Sequence, residues 1–134
     1  MLMIPRTLIH EMEAYVLASQ RKIDICGLLA GKSNVAVSIY PITNSLQSAV
    51  RFNMEPMELL AALMEMEKNG WEIVAIYHSH PKGPDHPSET DIDEAHIPDI
   101  IHVIWSYSGN SWLWKTYTII PPHFQETPVF IFGE

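Results

Sequence analysis

The residues of this chain best suited to chemistry lie between positions 78 and 91: His78-Ser79-His80-Pro81, six intervening residues, then Ser88-Glu89-Thr90-Asp91. Imidazole nitrogens and carboxylate oxygens both bind Zn²⁺, and a set of two histidines and one carboxylate leaves a fourth position open for water. Spacing supports convergence. The run Trp71 to Tyr77 holds Ile73, Val74, Ile76 and Tyr77, which predicts a buried strand with His78 and His80 at its end. Side chains two apart on a strand share a face, so both imidazoles can reach one ion. Pro81, Pro84 and Pro87 predict a stiff loop after it. Ser88 then reads as a helix N-cap with Asp91 one turn in, and a loop that doubles back carries that carboxylate to the histidines. The same residues also have a plainer reading, in which a hydrated histidine pair precedes a capping motif and no metal is held.

The elements that must position these groups follow from periodicity. Pro5 to Gln20 carries a helical stripe at Leu8, Ile9, Met12, Tyr15 and Val16, with Pro5 in the first turn and Arg21-Lys22 near the C-terminus. Ile23 to Gly31 and Asn34 to Ile42 read as strands joined in a hairpin through Lys32-Ser33-Asn34. A polar loop and a short extended piece, Val50 to Met54, lead to a second helix from about Pro56 to Asn69, with Gly70 as its C-cap. Strand 71 to 80 and the histidine loop come next, then a short helix from Ser88 to about His96, stopped by Pro98. Ile100 to Tyr107 and Ser111 to Ile120 form a second predicted hairpin, closed by Ser108-Gly109-Asn110. Trp112 and Trp114 share one face of it and Leu113 and Tyr117 the other, so both faces are expected to be covered, by a helix, a ligand or another subunit. Pro121-Pro122 ends that strand, and Val129 to Phe132 reads as a short edge strand. The prediction is a single α+β domain over residues 1–134, a mixed β-sheet flanked by helices.

Composition narrows the function classes. Hydrophobic residues make up 47% and charged residues 18% of the 134, the balance of a globular domain. The net charge is −8, and the eight Lys and Arg residues are scattered, only Arg21 and Lys22 being adjacent, so neither nucleic acid nor an anionic membrane is an expected partner. Cys26 is the only cysteine, which excludes an intramolecular disulfide. No apolar stretch approaches a bilayer-spanning length and no signal-peptide pattern is present, so a reducing cytoplasm is the expected setting.

The order His-x-His-Pro, six residues, Ser-x-x-Asp resembles the motif of the JAMM (MPN+) zinc metalloprotease family at every position of that pattern. A second part of the resemblance is the strand Cys26-Gly27-Leu28-Leu29. In the family a Glu stands two residues before such a strand and acts as general base; here the position holds Asp24, the same charge on a side chain one methylene shorter. The resemblance implies a JAMM/MPN (cytidine-deaminase-like) fold, Zn²⁺ held by His78, His80 and Asp91, Asp24 as base, and Ser88 as donor to the oxyanion. Asn44 resembles an Asn frequent at this place in the family. The reaction implied is hydrolysis of a peptide or isopeptide bond.

The chain looks most like compact prokaryotic members, some of which cut at the C-terminus of ubiquitin-like sulfur-carrier proteins. The rival expectation is a catalytically weak or inactive zinc-binding MPN module that recognises a ubiquitin-like partner. His86 is read as a solvated loop histidine, and His96, His102 and His123 as structural or surface residues without ligand spacing. Cys26 is read as a small core residue. The Trp112 and Trp114 surface admits a homodimer.

Overall fold

In the computed structural model, residues 1–95, 97 and 99–134 are described; His96 and Pro98, and with them the expected end of the short helix, lie outside the described residues. Eleven elements follow in the order β1 (Leu2–Pro5), α1 (Arg6–Ala18), β2 (Cys26–Lys32), β3 (Val35–Ile42), α2 (Pro56–Lys68), β4 (Glu72–His80), α3 (Glu89–Asp93), β5 (Ile101–Ser108), β6 (Ser111–Ile120), β7 (His123–Glu126) and β8 (Val129–Phe132). The strands make one eight-stranded mixed sheet in the order β7-β6-β5-β4-β2-β3-β1-β8. β4 lies parallel to β5 and antiparallel to β2 at the centre.

Each face of the sheet is covered by one long helix. Leu8, Ile9, Met12 and Val16 of α1 pack on Leu29, Ala75, Tyr77, Val103 and Trp105. Ala62 and Met66 of α2 pack on Cys26, Leu28, Ala30 and Ile42. Alternation along β2 is the reason: Cys26, Leu28 and Ala30 face α2 while Leu29 faces α1, so a strand buried on both sides is apolar throughout. Gly27 is required by packing, since a Cβ there would run into Tyr77 Oη and stand 2.5 Å from the Tyr40 carbonyl oxygen. α2 starts with Pro56 in its first turn, its N-cap Glu55 accepting from the N–H groups of Met57 and Glu58, and Gly70 follows its end at φ +71°.

The α+β expectation holds, with local corrections. Pro5 closes strand β1 and serves as N-cap of α1 instead of sitting in its first turn. β1 forms because the chain from Leu2 is drawn between β3 and β8, both parallel to it. Arg21 and Lys22 lie beyond the last turn of α1; Arg21 instead sets its guanidinium 4.2 Å above the Tyr107 ring. β2 begins at Cys26, not Ile23. Pro121-Pro122 ends β6 but the chain pairs with it again as β7, an exposed edge strand. Trp112 and Trp114 rest against the α1-side core, whereas Leu113 is 49% exposed.

Candidate metal centre

β4 carries the site. Ile76, His78 and His80 alternate onto its α2 side, and the parallel register with β5 sets them beside His102, Ile104 and Ser106. His78 and His80 are both buried, and the loop after them turns the chain back into α3. Ser88 caps α3 with a capping box: Asp91 N–H donates to Ser88 Oγ at 3.1 Å, and Ser88 N–H donates to Asp91 Oδ2 at 2.9 Å. That second bond turns Asp91 Oδ2 toward the histidines.

Three donor atoms converge there. His78 Nε2 and His80 Nε2 are 3.0 Å apart, and Asp91 Oδ2 lies 3.3 Å from the first and 3.0 Å from the second. Ligands on a tetrahedral Zn²⁺ at ordinary bond lengths stand about 3.3 Å from one another, so the triangle fits such an ion to within a few tenths of an ångström. Protonation agrees with this. His80 Nδ1 lies 2.6 Å from the Pro84 carbonyl oxygen; a carbonyl only accepts, so Nδ1 carries a hydrogen, and Nε2 is the nitrogen turned to the cluster. Burial lowers the pKa of His78, outweighing the neighbouring Asp91, and keeps the ring neutral. Burial alone would favour protonated Asp91, but the histidine contacts and the Ser88 N–H prevail and hold its carboxyl well below the usual range. A neutral His78 imidazole and an ionised Asp91 carboxylate are the protonation states that a divalent metal requires.

Asp24 does not join the donor triangle. Continuing the β2–β4 register by two residues sets it opposite His80, and its Oδ1 accepts from Ser79 N–H at 3.1 Å. It is 2% exposed, and burial, reinforced by Asp91 and opposed by the Ser79 hydrogen bond, pushes its pKa up to about 9. Asn44 frames it from behind: its side-chain amide donates to the carbonyls of Asp24, Ser48 and Arg51, and its Oδ1 accepts from Leu46 and Asn53. One buried side chain thereby shapes the loop 44–53.

That loop brings Phe52 to 4.7 Å from the His78 ring. Beside it lies a cavity of roughly 240 Å³, walled by Phe52, Met54, Leu59 and Ile76 and by His78, Asp91 and His102. His102 is thus a wall residue of the site, which its sequence position did not disclose; the parallel pairing with Ile76 puts it there. Burial, with His78 adding to it, lowers its pKa to about 4, so it is neutral at physiological pH. His86 stays outside, stacked on Phe124, and His123 is exposed on β7. Cys26 is a buried free thiol donating to the Ile42 carbonyl, its pKa pushed up to about 12 by burial, and it is no nucleophile.

Taken together, the helix-flanked mixed sheet and the cluster at the end of its central strand define a peptidase domain of the JAMM/MPN class. Residues 12–117 match the family model described as prokaryotic homologues of the JAB domain, and the chain belongs to that family. It is 35% identical over 114 residues to a desampylase of Pyrococcus furiosus, covering 84% of this chain and 79% of the relative. It is 40% identical over 103 residues to a probable TtuB-protein conjugate cleaving protease of Thermus thermophilus, covering 75% and 68% respectively. A solution structure of a Desulfitobacterium hafniense protein matches all of this chain and 94% of its own, with a TM-score of 0.87 and 29% identity.

Proposed function

We propose that the chain is a zinc-dependent peptidase that hydrolyses the peptide or isopeptide bond joining the C-terminus of a ubiquitin-like or sulfur-carrier protein to its partner. The observation that carries this reading is the convergence of three lone-pair donors, His78 Nε2, His80 Nε2 and Asp91 Oδ2, beside an apolar cavity. The names of the relatives, one of them a conjugate-cleaving protease, supply the substrate class.

His78, His80 and Asp91 would hold the metal. When bound, zinc supplies Lewis acidity, polarising the substrate carbonyl and acidifying a water to a pKa of about 7. Asp24 would take the proton from the attacking water and pass it to the leaving amine, an ionised state that a cation in the cluster would favour. Ser88 Oγ accepts from Asp91 N–H, and so its own O–H is left to donate to the oxyanion. Phe52, Met54 and Ile76 exclude bulk water from the side of the cluster that opens on the cavity.

The second reading, a metal-holding module that binds the same partner without cutting it, is favoured by one observation: the short Asp24 side chain is engaged by the Ser79 backbone. A misplacement of ~1 Å costs on the order of 10²-fold in rate. The test uses the zinc-loaded chain and its His78→Ala/His80→Ala variant. About one zinc per chain is expected in the first and none in the second, with sulfur-carrier fusions bearing C-terminal extensions cut only by the first, as followed by mass spectrometry. Zinc without cleavage, with cleavage appearing in Asp24→Glu, establishes the second reading.

A further inference from the structure

The loop between the histidines and α3 is held from two sides. Inside the site, the Pro84 carbonyl accepts from His80 Nδ1–H. On the outside, the next residue is gripped twice by β6: Tyr117 Oη–H donates to the Asp85 carbonyl at 2.5 Å, and Lys115 Nζ stands 3.6 Å from the Asp85 carboxylate. The residue after that, His86, lays its ring parallel to Phe124 of β7, with centroids 5.5 Å apart and planes 4° from parallel. Phe124 in turn meets the Tyr117 ring edge-on at 5.8 Å. Three consecutive loop residues are therefore committed, one to a cluster histidine and two to the β6–β7 corner.

We propose that Tyr117 is a positioning residue for the metal centre: by fixing the Asp85 carbonyl it fixes the neighbouring Pro84 carbonyl, and so the tautomer and ring orientation of His80. The proposal rests on the reading of His80 as a metal ligand. The contacts differ in kind. The Lys115–Asp85 pair is half-exposed and screened, and the His86–Phe124 stack lies at the surface. Tyr117 is 3% exposed, lies opposite His102 in the β5–β6 register, and ties the loop to the sheet from β6 as His80 ties it from β4. Burial raises the phenol's pKa to about 12, with Glu126 and Asp85 adding to it, so the hydroxyl keeps its proton and remains a donor at any physiological pH. A backbone carbonyl that receives a metal-ligating histidine's second nitrogen sets the ring's orientation and basicity, and loss of such a partner weakens metal binding 10- to 100-fold as an order of magnitude. Tyr117 acts one peptide unit further out.

The experiment compares the full chain with Tyr117→Phe, which keeps the ring and its packing on Phe124 and removes only the hydroxyl. Two quantities are read: the zinc dissociation constant by competition with a chelator, and the His80 imidazole state in the zinc-free protein by long-range ¹H–¹⁵N correlation. The expected result is zinc binding weaker by about ten-fold, with the fixed Nδ1–H form of His80 giving way to a mixture of tautomers. Lys115→Met, which removes the exposed contact to the same residue, is expected to change zinc affinity less than about three-fold. Zinc affinity within two-fold of wild type in Tyr117→Phe, with the Nδ1–H form intact, overturns the proposal. A wild-type chain that holds no zinc refutes the reading of the site instead, and the imidazole measurement then decides the role of Tyr117 by itself.

Discussion

Asp24 is a carboxylic acid whose surroundings favour its neutral form. Burial pushes its pKa up to about 9, incompletely opposed by the Ser79 N–H. A raised folded-state pKa means that the group's contribution to stability is complete below about pH 4 and is lost as pH climbs toward about 9. His102 tilts the other way, its folded value lowered to about 4 by burial, so it adds stability as pH rises from about 4 to 6.5. Above pH 6.5 the Asp24 slope therefore stands apart from that of His102. We expect the chelated protein to lose up to about 1.4 kcal/mol per pH unit between pH 7 and 9. Asp24→Asn should flatten that slope, as measured by urea denaturation at fixed pH. A slope unchanged in the variant would place the titrating group elsewhere.

At the scale of elements, β2 and β4 carry the architecture because each must be apolar or functional on both faces. Gly27 is the tightest point between them. Adding one methyl there drives it into the Tyr77 side chain and into the backbone of β3. Gly27→Ala is expected to cost about 3 kcal/mol, at the upper end for overpacking, seen as a lower denaturation midpoint with an unchanged urea slope. The central strands were legible in the sequence because alternation, β-branched residues and turn residues coincide at their ends. β1 and β7 were not: Leu2–Pro5 is four residues ending in proline, and His123–Glu126 is exposed throughout and has no apolar alternation to read. The convergence of His78, His80 and Asp91 was legible because a strand end, a proline loop and a capping motif are all local patterns. His102 was not, since only the parallel pairing of β5 with β4 carries it to the cavity.

The whole molecule couples the cluster to its stability. No residue of α3 is buried, and of the loop before it only Pro81 and Pro87 are. A metal that binds the folded state alone therefore stabilises the segment most dependent on it. At zinc one hundred times above its dissociation constant the gain is about 2.7 kcal/mol. Addition of a strong chelator should lower the melting temperature by several degrees, and His78→Ala/His80→Ala should melt at the same temperature with and without chelator. A chelator effect that persists in that variant would point to a second metal site. No helix among the described residues is long and apolar enough to cross a membrane. The mixed sheet has β7 and β8 at its two edges, and the cluster sits near its middle, on β4.

The donor cluster and Asp24 differ in how far the chain must travel to bring them into place. His78 and Asp91 are 13 positions apart, whereas Asp24 and Ser79 are separated by 55. Closing the longer loop costs about 1.3 kcal/mol more in chain entropy, and it also requires the antiparallel pairing of β2 with β4. On the proposed reading, metal capture is thus a local event within reach of a partly folded chain, and proton transfer by Asp24 is a property of the finished sheet. The two halves of the proposed chemistry are separable by assembly order: an ion bound early would template the strand end and the short helix before Asp24 reaches its place.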